Sequence, residues 1–165
     1  ADKVLLAGDN ADFVTGLLRA APASGAIIMG LIMTKFPPTR KAGRNLIISV
    51  TGFGLCMIAF ALSREIWLSF GVLFLSGAFD NVSVIIRHTI LQLLTPDDMR
   101  GRVAAVNGVF IGSSNEIGEF ESGVAARTMG NVPSVIFGGC MTILVVVGVF
   151  FFAPKLRKLN LDKMV

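Results

Sequence analysis

The sequence predicts an all-α protein, a polytopic transmembrane helix bundle with five spans. Three observations support this fold class. Hydrophobic residues make up 53% of the 165 residues and charged residues only 16%, whereas soluble domains carry about a quarter charged residues. The mean hydropathy is +0.74. The apolar residues also fall into five long runs between short polar connections, and each run reaches the length of about 17 residues with which an α-helix crosses a bilayer.

The five expected spans follow one another through a single transmembrane domain that covers residues 1–165. The first contains Pro22, which removes one backbone hydrogen bond and is expected to kink the helix. Pro37 and Pro38 mark the first connection, and Pro154 ends the last span. The spans are expected at about 13–33, 46–62, 66–94, 102–127 and 133–153.

Charged residues divide these spans into two groups. The second and fifth spans carry no charge and are expected to face lipid. The first, third and fourth carry all the intramembrane charge, so they are expected to face protein or a watery cavity.

The positions of the basic residues predict the orientation of the chain. One set of span ends holds ten Lys and Arg residues and the other set holds three. Basic residues favour the cytoplasmic side, so the C-terminus is expected in the cytoplasm. The ten are Lys35, Arg40, Lys41, Arg44, Arg100, Arg102, Lys155, Arg157, Lys158 and Lys163. The three are Lys3, Arg64 and Arg127.

The fourth span combines a ridge of small residues with acids. Ala104, Gly108 and Gly112 recur every fourth residue, and the row ends at Glu116. Such a ridge favours close packing against a neighbouring helix. Thr95 is expected to cap the start of this helix, because Pro96 suits a first helical position.

The depth of each residue in the membrane can be calculated from a helical rise of about 1.5 Å per residue. Residues of different spans at similar depth are candidates for a shared pathway. Arg19 on the first span and Glu116 or Glu119 on the fourth reach similar depths, which predicts a buried ion pair. Two hypotheses stay open for this pair. It holds two helices together, or one carboxylate exchanges protons as the pairing changes. Asn115 is expected on the same helix face as Glu119, four residues away.

The third span contributes Asp80 and Arg87 as further candidates for the pathway or its gate. Asp80 is expected in the inner third of the bilayer. Arg87 shares its face near the cytoplasmic edge, where it either extends to the interface or forms a gating ion pair. His88 is expected to be a solvated residue at the helix end. Arg100 and Arg102 are assigned to the cytoplasmic loop before the fourth span.

Motifs for other kinds of function are absent from the sequence. There is no HExxH, GxSxG, paired CxxC or P-loop pattern, so neither an enzyme nor a metal site is expected, and no cofactor. Cys56 and Cys140 lie in apolar runs without metal-ligand spacing. The net charge of +4 comes from short clusters without interleaved aromatic residues, so no nucleic-acid partner is expected.

Four stretches resemble the C-terminal half of a major facilitator superfamily transporter, in the bacterial branch of enterobactin and multidrug exporters. They are GLLRAAPASGA, GAFDNVSVIIRHTILQLLTPDDMRGRV, SSNEIGEFESG and the FAPKLRKL end. The resemblance implies that the five spans are helices eight to twelve of a twelve-helix fold. In that fold helix ten lines a central cavity, helices eight and eleven face the other half, and helices nine and twelve are peripheral.

The resemblance also implies a function and partners. The intact protein is expected to perform secondary active efflux of a small molecule, by proton antiport with alternating access, as a multi-pass protein of the bacterial inner membrane. Its partners are then the substrate, protons, the lipid bilayer and a missing N-terminal half. The stretch KFPPTRKAGRN lacks the family's GxLxDRxGRR gating pattern. A lysophospholipid or other lipid flippase of the same fold and a non-transporting membrane interaction module stay open as alternatives.

Overall fold

The structure is a computed structural model that describes residues 11–36 and 41–153. These residues form five α-helices and, within the described ranges, no β-strand. The all-helical prediction is therefore confirmed. The helices are α1 (Ala11–Lys35), α2 (Ala42–Leu62), α3 (Ile66–Leu94), α4 (Arg100–Met129) and α5 (Asn131–Phe152).

The connections between the last three helices are short. Thr95 caps the end of α3, because its hydroxyl donates to the Leu91 carbonyl at 2.6 Å; its expected role at the start of α4 is therefore wrong. A turn in which the Met99 N–H donates to the Pro96 carbonyl precedes α4. Gly130 alone separates α4 from α5, with a φ of 88°, a backbone conformation that glycine adopts without strain.

The α1–α3 contact is the closest helix crossing in the bundle. A methyl group added to Gly77 would overlap the carbonyl group of Pro22, and one added to Gly25 would overlap the carbonyl group of Phe74. Since glycine has no Cβ, the two backbones can approach to this distance, as in other small-residue contacts between membrane helices.

A second glycine contact joins α2 to α5. A methyl group added to Gly139 would lie 2.6 Å from Ile58 Cγ1 and 3.1 Å from the Gly54 carbonyl oxygen. The nearest atom to this methyl group belongs to the Ile58 side chain, whereas the nearest atom at Gly77 belongs to the backbone. Helix α3 also packs on α2, and α4 packs on α5. The contacts therefore connect the helices in the order α1, α3, α2, α5 and α4.

The buried core is small and lies where the first three helices meet. Ala42, Val82 and Ile86 are its buried hydrophobic residues, and half-buried Met29, Met33, Leu46 and Ile90 pack around them. Buried serines of α3 have partners for their hydroxyls. Ser76 donates to the Leu73 carbonyl at 2.7 Å, and Ser69 donates to the Ser63 hydroxyl of the preceding turn at 2.9 Å. A polar group away from water needs such a partner.

Large apolar side chains cover the outside of the bundle, as expected for a protein in lipid. Trp67 is 81% exposed and Phe152 is 91% exposed. Four helices are long and apolar enough to cross a membrane, namely α1, α2, α3 and α5. Helix α4 is long enough at 30 residues, but it is not apolar enough to belong to that group. It contains Arg100, Arg102, Glu116, Glu119, Glu121 and Arg127.

Part of the sequence interpretation lies outside the described residues. The stretch KFPPTRKAGRN is described only at residues 35–36 and 41–45, and the basic tail from residue 154 is not described. The expected orientation therefore stays a prediction.

Candidate functional site

One face of α3 carries the polar side chains from which the candidate site is built. Asp80, Ser83 and Arg87 recur at spacings of three and four residues, so they lie along one side of the helix. Ser83 is buried and its hydroxyl donates to the Asp80 carbonyl at 2.9 Å. Asp80 and Arg87 are both exposed, separated by about two turns, or roughly 10 Å along the axis.

The Arg87 guanidinium folds back along its own helix. Its Nε donates to the Ser83 carbonyl at 3.3 Å, and Nη2 lies 3.5 Å from the Ser83 hydroxyl oxygen. Ser83 is one turn closer to the middle of α3, so the guanidinium is directed away from the helix end at Leu94. In this arrangement Arg87 neither extends to the near interface nor pairs with Asp80, and both hypotheses for its role stay predictions.

A polar cleft of about 330 Å³ lies between α3 and α4. Its lining includes a carboxylate, a guanidinium, an imidazole and two carboxamides, with apolar side chains between them. This set can bind a polar molecule through both donors and acceptors, and the carboxylate can also exchange a proton. The lining residues are Asp80, Val84, Arg87, His88, Leu91, Asn107, Ile111 and Asn115.

Three of the candidates from the sequence meet in this cleft. Asp80 and Arg87 come from α3, and Asn115 comes from α4. Arg19, Glu116 and Glu119 do not line it. They lie on α1 and on other parts of α4, and all three are exposed.

The ion pair expected between Arg19 and Glu116 or Glu119 is not formed. The three residues belong to the described part of the chain, in which the observed salt bridge is Arg100–Asp97. Helix α4 packs against α5, and it has no extensive contact with α1. Helical rise gives the depth of a residue, but it does not say which helices are neighbours.

Two polar residues of the cleft were not among the site candidates. Asn107 was missed, although Asn107, Ile111 and Asn115 follow one another at four-residue spacing and so share a helix face. His88 was expected at a solvated helix end. It is exposed, and it contributes to the wall of the cleft.

Arg100 and Arg102 were expected in a loop and instead lie in the first turn of α4. The helix starts at Arg100, where Arg100 Nη2 lies 2.7 Å from Asp97 Oδ1 of the preceding turn. Both partners are largely exposed, at 52% and 89%, so this pair contributes little to stability. Among the described residues no cluster of His, Cys, Asp and Glu could hold a metal ion.

Comparison with known proteins shows the family to which the chain belongs. The family model described as transmembrane secretion effector, within the major facilitator superfamily, matches residues 2–165. The enterobactin exporter EntS of Salmonella typhi is 30% identical over 143 residues, which cover 81% of this chain and 34% of that protein. EntS of Salmonella typhimurium is 29% identical with the same coverage.

The matched relatives are much longer than this chain. It spans about a third of their length, since the alignments cover 34% of each. No solved structure matches the chain. The family model covers nearly every residue, and the resemblance inferred from the sequence is confirmed. The chain belongs to the transmembrane secretion effector family of the major facilitator superfamily.

Proposed function

We propose that this chain is the C-terminal part of a secondary active exporter that moves a small molecule out of a bacterial cell across the inner membrane. The cleft between α3 and α4 forms one wall of its transport pathway. Asp80, Arg87 and Asn115 contact the substrate or the coupling ion there. A missing N-terminal half supplies the opposite wall, and the two halves expose the pathway alternately to either side.

The observation that carries this proposal is the convergence of polar side chains from two neighbouring helices on one cleft. Ionisable groups within membrane helices are rare, and they mark substrate or ion pathways. Asp80 and Arg87 lie well inside α3, a helix that is otherwise apolar enough to cross the membrane. Among the described residues, neither group forms a salt bridge that would account for its presence in this helix.

The exposure of α4 supports the proposal that a further part of the protein packs against this helix. None of its residues is buried, and it packs on α5 alone through an extensive contact. Its charges include Glu116 and Glu119, which in lipid would be costly to leave exposed. A second half that encloses a water-filled pathway would place these acids in a polar environment. We assign Arg19, which lies on α1, to the same pathway.

Proton antiport is the energy source that we propose for export. Asp80, Glu116 and Glu119 are carboxylates within membrane-associated helices, and each can carry a proton across part of the path. Of these, Asp80 is the one that lines the cleft beside Arg87. Its proton and a bound substrate therefore compete for the same space, which is the requirement for exchange.

The test is transport by the full-length protein in proteoliposomes with an imposed pH gradient. Enterobactin is the first substrate to test, because the two relatives named above are enterobactin exporters. A lipophilic dye and a lysophospholipid are the other two. We expect Asp80→Asn to reduce gradient-driven transport to the level seen without a pH gradient, since an amide has the size of the acid but cannot take up and release a proton. Asp98→Asn, in the turn before α4, is the matched control and should transport normally.

The outcomes separate the alternatives. Transport of only the lysophospholipid identifies a lipid flippase. Export that is unaffected by collapse of the pH gradient removes proton antiport from the proposal. Equal transport by wild type and Asp80→Asn contradicts the assignment of the cleft as the pathway. Absence of transport of any probe, with the protein folded, favours a membrane interaction module.

A further inference from the structure

A second cavity of about 350 Å³ adjoins the polar cleft and is lined by residues of α2, α3 and α5. Its volume is within the range of sites that bind small molecules. Most of its wall is aliphatic or aromatic, including Val50 and Phe53 of α2 and Val146 of α5. Asp80 and Arg87 are the charged groups in its lining. The same two residues line the polar cleft between α3 and α4.

The position of Arg87 along α3 places it at one edge of the membrane core. Trp67 lies at the opposite end of α3 and is 81% exposed, as is typical of aromatic residues at a membrane interface. A core of about 30 Å corresponds to about 20 residues of helix. Arg87 lies twenty residues after Trp67, so it is level with the head groups or just inside them.

The apolar part of the cavity extends from Arg87 toward the middle of the membrane. Asp80 is about 10 Å deeper than Arg87. On α2 the lining begins at Leu46 near the same end of the bundle and reaches Phe53, which is also about 10 Å deeper. The cavity is therefore open to a chain that enters from the Arg87 end and lies along the three helices.

The charge at that end favours an anionic occupant. Lys41 precedes α2, and Arg44 lies in its first turn, which contains no acidic residue. Arg87 donates to Ser83 only through Nε and one terminal nitrogen, so further N–H groups of its guanidinium can bind oxygen atoms. A phosphate accepts such donors well, and basic residues at the cytoplasmic face attract anionic lipids.

We propose that this cavity binds one anionic glycerophospholipid of the adjacent leaflet, with an acyl chain between α2, α3 and α5 and the phosphate on Arg87. Bound lipid draws the Arg87 guanidinium toward the cavity. It also excludes water from the cavity side of Asp80. Because both residues belong to the polar cleft as well, the lipid acts on the groups that we assign to the transport pathway. The binding site itself does not depend on what the protein transports.

Native mass spectrometry of the full-length protein tests the proposal by counting retained lipid. The probes are phosphatidylglycerol and phosphatidylcholine with identical acyl chains. We expect phosphatidylglycerol to bind about tenfold more tightly, a difference of about 1.4 kcal/mol. Both lipids offer a phosphate, but the choline cation of phosphatidylcholine cancels its charge and is repelled by the basic residues at this end of the bundle. Arg87→Gln should abolish this preference, and Arg87→Lys should keep part of it. Val146→Phe should reduce the retention of both lipids by filling the chain site.

The control is Arg64→Gln, which removes a basic residue from the turn at the other end of the bundle and should leave retention unchanged. Helical circular dichroism and the thermal midpoint show whether each variant is folded. Val50→Phe, on the α2 wall, replaces Val146→Phe if the latter does not fold. Equal binding of the two lipids, or retention unaffected by Arg87→Gln and by both cavity-filling variants, overturns the proposal. So does a wild-type protein that retains neither lipid. Because no transport is measured, this failure is distinct from failure of the proposed function.

Discussion

The glycines of the α1–α3 contact and those of α4 share a residue type but have opposite surroundings. Gly25 and Gly77 each face the backbone of the neighbouring helix so closely that an added methyl group would overlap it. A methyl group added to Gly108 or Gly112 of α4 would have no described atom within 4 Å. The regular four-residue ridge is therefore the unpacked one. Helix contacts in this chain use single glycines, and the ridge belongs to the surface that the proposed second half would meet.

The largest expected effect follows from Gly77→Ala. The new methyl group would overlap the Pro22 carbonyl, which cannot move without displacing α1. We expect the full-length protein to lose about 3 kcal/mol of unfolding free energy, at the upper end of the range for overpacking. Thermal unfolding in detergent measures this loss. Gly71→Ala on the same helix, where nothing lies within 4 Å, should cause none, and similar losses for both variants would contradict the close crossing.

A smaller loss is expected for Gly139→Ala at the α2–α5 contact. The methyl group would meet Ile58 Cγ1 at 2.6 Å, and this side chain can change its rotamer to make room. We expect a loss of about 1 kcal/mol, at the lower end of the range for overpacking, in the same thermal assay. Gly138→Ala, one residue earlier and with open space around it, is the control. A loss as large as that for Gly77→Ala would mean that Ile58 cannot move.

Little or no loss is expected for Gly108→Ala on α4. Nothing described lies near the added methyl group, and alanine favours a helix over glycine by about 1 kcal/mol. The thermal midpoint should stay the same or rise slightly. A loss equal to that for Gly77→Ala would show that helices beyond this chain pack on α4 as tightly as α1 packs on α3, and it would place the ridge in a helix contact after all.

The smallest effect is expected at the start of α4, for Asp97→Asn. It removes the ion pair with Arg100, whose two side chains are 52% and 89% exposed. Exposed pairs contribute no more than about 1 kcal/mol, and salt screens them. A loss of about 1 kcal/mol of unfolding free energy lowers the thermal midpoint by only a few degrees, so the midpoint should fall by about two degrees at most. The difference from wild type should vanish in high salt. Asp98→Asn, next to it, is the control; a larger or salt-independent loss would mean that the pair holds α4 in place.

The helices themselves followed from the sequence because their cause is local. Long apolar runs between prolines and charges form helices wherever the solvent is lipid. Asp80 and Asn115 were likewise found from a local property, a polar group within a membrane-associated helix, and the structure brings them to one cleft.

What the sequence did not predict depends on which helices are neighbours. Arg19 and Glu116 were matched by depth, but α1 contacts α3 and α4 contacts α5. The glycine ridge was assigned to packing because of its regularity, whereas the close contacts use Gly25 and Gly77, which show no such repeat. Asn107 had a signal in its eight-residue spacing to Asn115, about two helical turns, but Asn115 was paired with Glu119 instead.

The contact between Pro22 and Gly77 also determines how the bundle can deform. A proline lacks the N–H group that would tie its turn to the preceding one, so α1 would bend most easily near Pro22. At this point the α1 backbone lies against α3, and any bend would have to push that helix aside. In the exporter proposed above, the α1–α3 pair is therefore expected to tilt as one rigid body between inward-open and outward-open forms. Helix α4, with its single extensive contact, is expected to supply the flexing part.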